Sequence, residues 1–190
     1  MSLIINEIYY SIQGESSFVG KPCIFIRLTF CNLRCTYCDT EYAFYEGKKM
    51  TISKILEKIK EWDCNLVEVT GGEPLIQEEC INLLNSLITN GYKVMLETGG
   101  SLPITAVPKE VIKIIDFKCP YSKMDKKNLW TILDDMVDHD EIKFVIGNRD
   151  DYNWAKDRLL EYDLTNKWSV SFSCVFKHIS YKTLAGWILE

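Results

Sequence analysis

The chain has 190 residues, 47% apolar and 26% charged, with a net charge of -5, enough length for one domain with a buried core. These globular values exclude a wholly disordered chain, a collagen-like or low-complexity protein, and the broad basic surface that nucleic-acid binding needs. No apolar run approaches the ~18 residues of a membrane span, and the opening MSLIINEIYYSIQGE lacks the basic and apolar regions of a secretory signal.

The setting these features predict is the cytoplasm, where eight cysteines stay reduced and serve as metal ligands, catalytic groups or buried thiols. Cys23, Cys64, Cys80, Cys119 and Cys174 are scattered, and are expected to be small buried or loop residues.

Taken in order, IINEIYY (4–10) predicts a short extended segment, and PCIFIRLTF (22–30), rich in β-branched and aromatic residues, predicts a strand. Alternation along that strand puts Phe25, Arg27 and Thr29 on one face, pointing into a barrel, and Ile24, Ile26 and Leu28 on the other, facing helices. In TISKILEKIKEW, Ile52, Ile55, Leu56 and Ile59 recur at helical spacing behind Thr51, a suitable N-cap. NLVEVT is a strand, GGEP a turn, and residues 77–90 a helix closed by Asn90-Gly91. YKVMLET and VIKIIDFK are strands, 126–137 a helix, EIKFVI a strand, 150–162 a helix, WSVSFS a strand, and YKTLAGWILE a closing helix.

Strands alternating with helices predict an α/β fold with a mostly parallel sheet and right-handed crossovers. A full eight-fold barrel takes ~250 residues, so the expectation is a partial, shortened (βα)6-type barrel forming one domain over 1–190. Residues just after each strand then meet at one mouth, which gathers the cysteine-rich loop, GGEP, TGGS and DFKCP on the same rim.

CNLRCTYCDT places Cys31, Cys35 and Cys38 within eight residues. Disulfides want pairs, and structural zinc wants four ligands, whereas the two histidines, His139 and His178, are far along the chain. A 4Fe-4S cluster held by three thiolates keeps one iron open for a small molecule. The C-x-x-x-C-x-x-C spacing resembles the radical S-adenosylmethionine superfamily. That resemblance implies S-adenosylmethionine chelated to the open iron and cleaved by one electron to a 5'-deoxyadenosyl radical. GGEP resembles the glycine-rich motif by which that superfamily contacts the amino group of S-adenosylmethionine, so Gly72 and Glu73 are candidates. The plain alternative is an ordinary strand-to-helix turn. Asp116 and Lys118 end a strand at the same mouth; the alternative there is a solvated charge.

SIQGE (11–15), Arg27, the cysteine loop with CDT, VTGGEP, DFKCP and SCVF run from Ser11 to Phe176. Together they closely resemble the 7-carboxy-7-deazaguanine synthase family. The resemblance implies a lyase that contracts the ring of 6-carboxy-5,6,7,8-tetrahydropterin to 7-carboxy-7-deazaguanine with loss of ammonia, as in queuosine biosynthesis. Cluster and S-adenosylmethionine would carry the chemistry, with no acid or base assigned. It also implies magnesium held by Thr40 and cofactor contacts at Tyr37, Cys38, Asp39, Gly72, Asp116, Phe117, Lys118, Ser173, Cys174, Val175 and Phe176. Substrate contacts would fall at Ile12, Gln13, Gly14, Glu15, Arg27 and Thr70, with residues 1–21 a substrate-binding extension. A homodimer and a flavodoxin or ferredoxin reductant are implied as well.

The residue types suit these roles. Arg27 on an inward face can clamp a carboxylate bidentately, unless it pairs with a strand acid. Gln13 and Glu15 can read the amide and amino edge of a pterin, unless they serve a turn around Gly14. A Thr40 hydroxyl suits magnesium, or caps the cysteine loop. Cys174-Val175-Phe176-Lys177 stands where relatives have Pro-Val-Phe-Gly, Tyr121 and Lys123 are larger than usual, and relatives usually continue past YKTLAGWILE with a tail reaching the substrate. A glycyl-radical activase and a non-catalytic, metal-stabilised binding module are the competing readings; SIQGE and Arg27 argue against the first.

Overall fold

The computed structural model describes residues 2–190, so Met1 lies outside the described residues. Its strands are β1 (Ser2–Ile12), β2 (Pro22–Leu28), β3 (Lys48–Thr51), β4 (Leu66–Gly71), β5 (Lys93–Thr98), β6 (Ile112–Phe117), β7 (Glu141–Ile146) and β8 (Ser169–Cys174). They form one open sheet in the order β3-β1-β2-β4-β5-β6-β7-β8. From β2 through β4 to β8 every pairing is parallel, giving the six strands of the shortened barrel the sequence predicts. At one edge β1 runs antiparallel to β2, and β3 antiparallel to β1. The segment expected over 4–10 is thus an eleven-residue strand, and β3 is an element the sequence did not announce.

Period-two alternation builds two cores. Outward residues such as Ile24, Ile26, Leu28, Val67, Val69, Ile142 and Phe144 pack with Ile55, Ile59, Leu83, Leu84 and Leu87 of the helices. Each such burial is worth about 1.5–3 kcal/mol. Helix α1 (Ile52–Ile59) starts where Thr51 accepts a hydrogen bond from the Lys54 amide, and α2 (Glu79–Thr89) ends at Asn90-Gly91. Helices α3 (Arg149–Glu161), α4 (Leu164–Lys167) and α5 (Tyr181–Leu189) cover the far edge. No helix among the described residues is long and apolar enough to cross a membrane.

The second core lies inside the barrel: Phe25, Leu66, Met95, Ile112 and Ile114 point inward and Phe18 of the β1–β2 loop packs among them. Further along these strands the inward positions turn polar, as Arg27, Thr70, Glu97 and Asp116, and β7 adds Lys143. Apolar layers fill; charged layers keep a cavity open.

Two expectations fail. Residues 126–137 form short 3-10 turns, Asp125–Lys127 and Trp130–Asp135, instead of a helix. Asn128 spends its side-chain amide on the Lys118 backbone, accepting from its N–H and donating to its carbonyl, while the Leu129 amide donates to the Gly100 carbonyl. Those bonds replace helical ones. Thr29 lies beyond the end of β2, and its hydroxyl donates to the Glu46 carbonyl at 2.7 Å instead of facing the cavity.

Candidate active site

A cavity of about 460 Å³ is lined by Ile12 to Glu15, by Arg27, and by residues following β2, β4, β5, β6 and β8. Every candidate substrate residue is on its wall: Ile12, Gln13, Gly14, Glu15, Arg27 and Thr70. So are Cys31, Cys35, Tyr37, Cys38, Asp39, Thr40, Gly72, Asp116, Lys118 and Ser173 to Phe176. Phe117 is the exception. Alternation turns its ring into the helix-side core, where it stacks on Trp130 with centroids 4.3 Å apart.

At one end the three thiols are half-buried on a single loop. Burial pushes the Cys31 thiol up and Cys35 up to about 11, opposed by the Lys118 ammonium. Cys38 Sγ lies 3.7 Å from Thr40 Oγ1. Among the described residues no three His, Cys, Asp or Glu side chains gather closely enough to grip one metal ion. Three thiols on one loop are the donor set of an iron–sulfur cube with one open iron, whereas structural zinc takes four protein ligands. Near the thiols, Lys118 Nζ pairs with Asp116 Oδ2 at 2.8 Å, while the other Asp116 oxygen is buried without a partner among the described residues. Tyr37 Oη is likewise buried and unpartnered among the described residues. Unmet polar atoms beside the thiols suit a polar cofactor such as S-adenosylmethionine.

The GGEP turn has a role the sequence did not suggest. Glu73 is fully buried and off the cavity wall; its carboxylate accepts from the amides of Leu75 and Gly99 and from the Thr98 hydroxyl. It is a brace between turns, away from the cavity where a ligand would sit. The Gly72 amide donates to the Leu28 carbonyl and the Glu73 amide to that of Phe30. A Cβ on Gly72 would lie 2.2 Å from the Phe30 carbonyl oxygen. The glycines therefore let this turn support the chain entering the cysteine loop.

In the other half of the cavity, Arg27 Nε donates to Glu7 Oε1 at 2.8 Å and its Nη2 to the Tyr9 hydroxyl, so the ion pair with a strand acid is present. Gln13 is nearly fully buried; its amide donates to Glu68 and its oxygen accepts from the Glu15 amide, the turn chemistry named as an alternative. Thr70 Oγ1 donates to Glu97. Lys143 Nζ pairs with Glu15 and, at 2.8 Å, with Glu97. Burial, with repulsion from Glu97, pushes Glu68 up to about 8. Burial also acts upward on Glu97, but the Lys143 ammonium outweighs it and brings that carboxylate down to about 2.

Glu68, Glu97 and Lys143 are the residues the sequence reading missed. The signal was present: LVEVT and VMLET each carry one charge, and EIKFV two, Glu141 and Lys143, on one face of a largely apolar strand.

The chain matches the radical SAM superfamily over residues 25–121. It is 45% identical to a 7-carboxy-7-deazaguanine synthase of Koribacter versatilis, covering 98% of this chain and 89% of that protein. A 7-carboxy-7-deazaguanine synthase of Chlorobaculum tepidum is 43% identical, over 99% of this chain and 87% of its own. Among solved structures, QueE from Escherichia coli superposes with a TM-score of 0.78 at 25% identity, covering 97% of this chain and 87% of the other. An open six-strand barrel with three loop thiols and these relatives along nearly its whole length leave one assignment: the chain belongs to the radical SAM superfamily and, within it, to the 7-carboxy-7-deazaguanine synthase family.

Proposed function

We propose that the chain converts 6-carboxy-5,6,7,8-tetrahydropterin to 7-carboxy-7-deazaguanine, releasing ammonia. Support comes from relatives of that name and, within the structure, from a single observation. One cavity joins three unpaired thiols to Arg27, Gln13 and Glu15, so a redox centre and a carboxylate- and amide-reading surface share one space.

Cys31, Cys35 and Cys38 hold the 4Fe-4S cluster, and Tyr37, Cys38, Asp39, Gly72, Asp116, Lys118 and Ser173 to Phe176 line the S-adenosylmethionine end. When bound, these groups supply the one-electron chemistry that removes a hydrogen atom from the pterin. Arg27, its Nε held by Glu7, orients the substrate carboxylate through charge-assisted hydrogen bonds. Gln13 and Glu15 take the amide and amino edge, Thr70 reaches the same ring, and Thr40 offers magnesium a hard oxygen beside the substrate. A flavodoxin or ferredoxin donor and a homodimer belong to the same reading, as does a cytoplasmic setting, which eight unpaired cysteines support.

Anaerobic turnover tests it. Reconstituted protein with the carboxytetrahydropterin, S-adenosylmethionine, magnesium and a strong reductant is expected to yield the deazaguanine acid by mass spectrometry. Deoxyadenosine without any deazapurine would refute the substrate assignment.

A further inference from the structure

Lys143 is almost wholly buried, on the inner face of β7, and no backbone carbonyl is hydrogen-bonded to its ammonium among the described residues. Its contacts are all carboxylates from three different places: Glu15 of the β1–β2 loop, Glu97 of β5, and Asp116 of β6 at 3.9 Å. Burial alone would strip the proton from such a lysine; the three acids reverse that and hold its pKa well above the usual value. An ammonium is a compact charge with three donors, suited to binding several carboxylates at once.

The consequence falls on the acids. Around this ammonium stand Glu15, Glu68, Glu97, Asp116 and Lys118, all on the cavity wall. Glu97 is kept ionised by Lys143, then by Lys118 and the Thr70 hydroxyl. Glu68, which has the Gln13 amide but lacks a direct cation, is pushed toward its neutral form. The lysine thereby decides which acids are charged acceptors and which keep a proton. It also ties the loop bearing Glu15 to a central strand, fixing the spacing of Glu15 and Glu97.

We propose that Lys143 is a positioning residue for substrate recognition: by binding Glu15 and Glu97 together it presents two carboxylate acceptors at fixed spacing to the donor-rich N–H edge of the heterocycle. This rests on the function proposed above and extends it to a residue that does not itself read the substrate. A lysine that merely filled the core would affect both halves of the cavity alike. One that positions Glu15 and Glu97 affects the pterin half most, because its approach to Asp116 at the S-adenosylmethionine end is the longest of the three, 3.9 Å.

Lys143→Gln and Lys143→Arg holoenzymes separate the two. For Lys143→Gln the expected result is a KM for the carboxytetrahydropterin raised more than tenfold. The KM for S-adenosylmethionine and the rate of its cleavage without pterin stay within about twofold. The acid limb of kcat/KM against pH also moves upward, because Glu97 loses the charge that keeps it ionised. Lys143→Arg, retaining the charge, recovers part of the pterin affinity. Both KM values rising together, or an unmoved pterin KM with an unmoved acid limb, overturns the proposal. If Lys143→Gln lacks a cooperative melt, the double variant Lys143→Gln/Glu97→Gln removes both charges; normal pterin KM in that protein is equally fatal. Wild-type protein that makes no deazapurine would instead sink the proposed function, so the two failures are distinct.

Discussion

Thr98 Oγ1 lies 2.9 Å from each carboxylate oxygen of Glu73, and both residues are buried. With the Gly99 amide on the same carboxylate, this joins the turn after β4 to the turn after β5 and supports the chain leading into the cysteine loop. Removing a buried acceptor strands its donors. Glu73→Ala is expected to cost about 2–3 kcal/mol, seen as a melting temperature lower by roughly 4–12 °C, and to reduce the iron retained after anaerobic reconstitution. An unchanged melt would show that the brace contributes nothing.

The iron itself tests the thiols. Cys35 contributes its backbone carbonyl, not its sulfur, to the loop's hydrogen bonding, through the Cys38 amide. Cys35→Ala is therefore expected to leave the cluster-free protein within ~1 kcal/mol of wild type while abolishing stable incorporation of iron and sulfide. Full iron content in that variant would remove Cys35 from the ligand set.

Much of this arrangement is legible in the sequence, and the reasons differ by element. The parallel strands show as short apolar runs between glycines and helical repeats, and C-x-x-x-C-x-x-C needs only local spacing. Long-range partners are what local pattern cannot supply. Asn128 and Leu129 look helical until the Lys118 backbone and the Gly100 carbonyl are seen beside them. Glu73 looks like a ligand until Thr98 and Gly99 are found to occupy it. Phe117 shares a motif with Asp116 and Lys118 yet points the opposite way, as strand alternation requires. The same alternation, applied to LVEVT, VMLET and EIKFV, would have placed Glu68, Glu97 and Lys143 inside the barrel.

Glu68 makes stability depend on pH. Its folded pKa, about 8, stands above the ordinary 4.5, with burial the main cause. The folded state thus holds this proton more tightly than the unfolded chain. The penalty is absent below about pH 4.5, grows as pH rises, and is complete above about 8. Half of that displacement would be worth about 2 kcal/mol. Glu68→Gln keeps an acceptor for Gln13 and cannot ionise, so its melting temperature should exceed wild type by several degrees at pH 8.5 and match it near pH 5. A constant difference across that range would contradict the assignment.

Phe18 is the one aromatic ring of the β1–β2 loop buried in the inner core, flanked by the ammonium groups of Lys93 and Lys21 at 4.5 and 4.8 Å from its centroid. It anchors the loop that carries Gln13 and Glu15. Phe18→Ala is expected to cost about 3–4 kcal/mol in stability and, at temperatures where the protein remains folded, to weaken pterin binding measured by fluorescence. Stability lost with pterin affinity intact would mean that the loop is held by its hydrogen bonds alone.

Gly147 tests the opposite wall. A Cβ there would lie 2.3 Å from Cδ1 of Tyr121, near the root of the ring, so the ring must swing away to admit it. Tyr121 stacks on Tyr37 at 6.3 Å with planes 7° apart, donates or accepts at His178 Nδ1 over 3.0 Å, and accepts at its carbonyl from Thr36 Oγ1. Displacing it removes the support behind Tyr37, the aromatic on the S-adenosylmethionine end of the cavity. Stacked aromatic pairs are worth about 0.5–1.5 kcal/mol, so Gly147→Ala should raise the KM for S-adenosylmethionine by up to about tenfold, with iron content and pterin KM unchanged. Tyr121→Phe keeps the ring and loses only the histidine contact, and should stay within about threefold. If Gly147→Ala alters the near-ultraviolet circular dichroism of the tyrosines without weakening S-adenosylmethionine, then Tyr37 does not depend on its neighbour, and the cofactor is held by the rest of the wall.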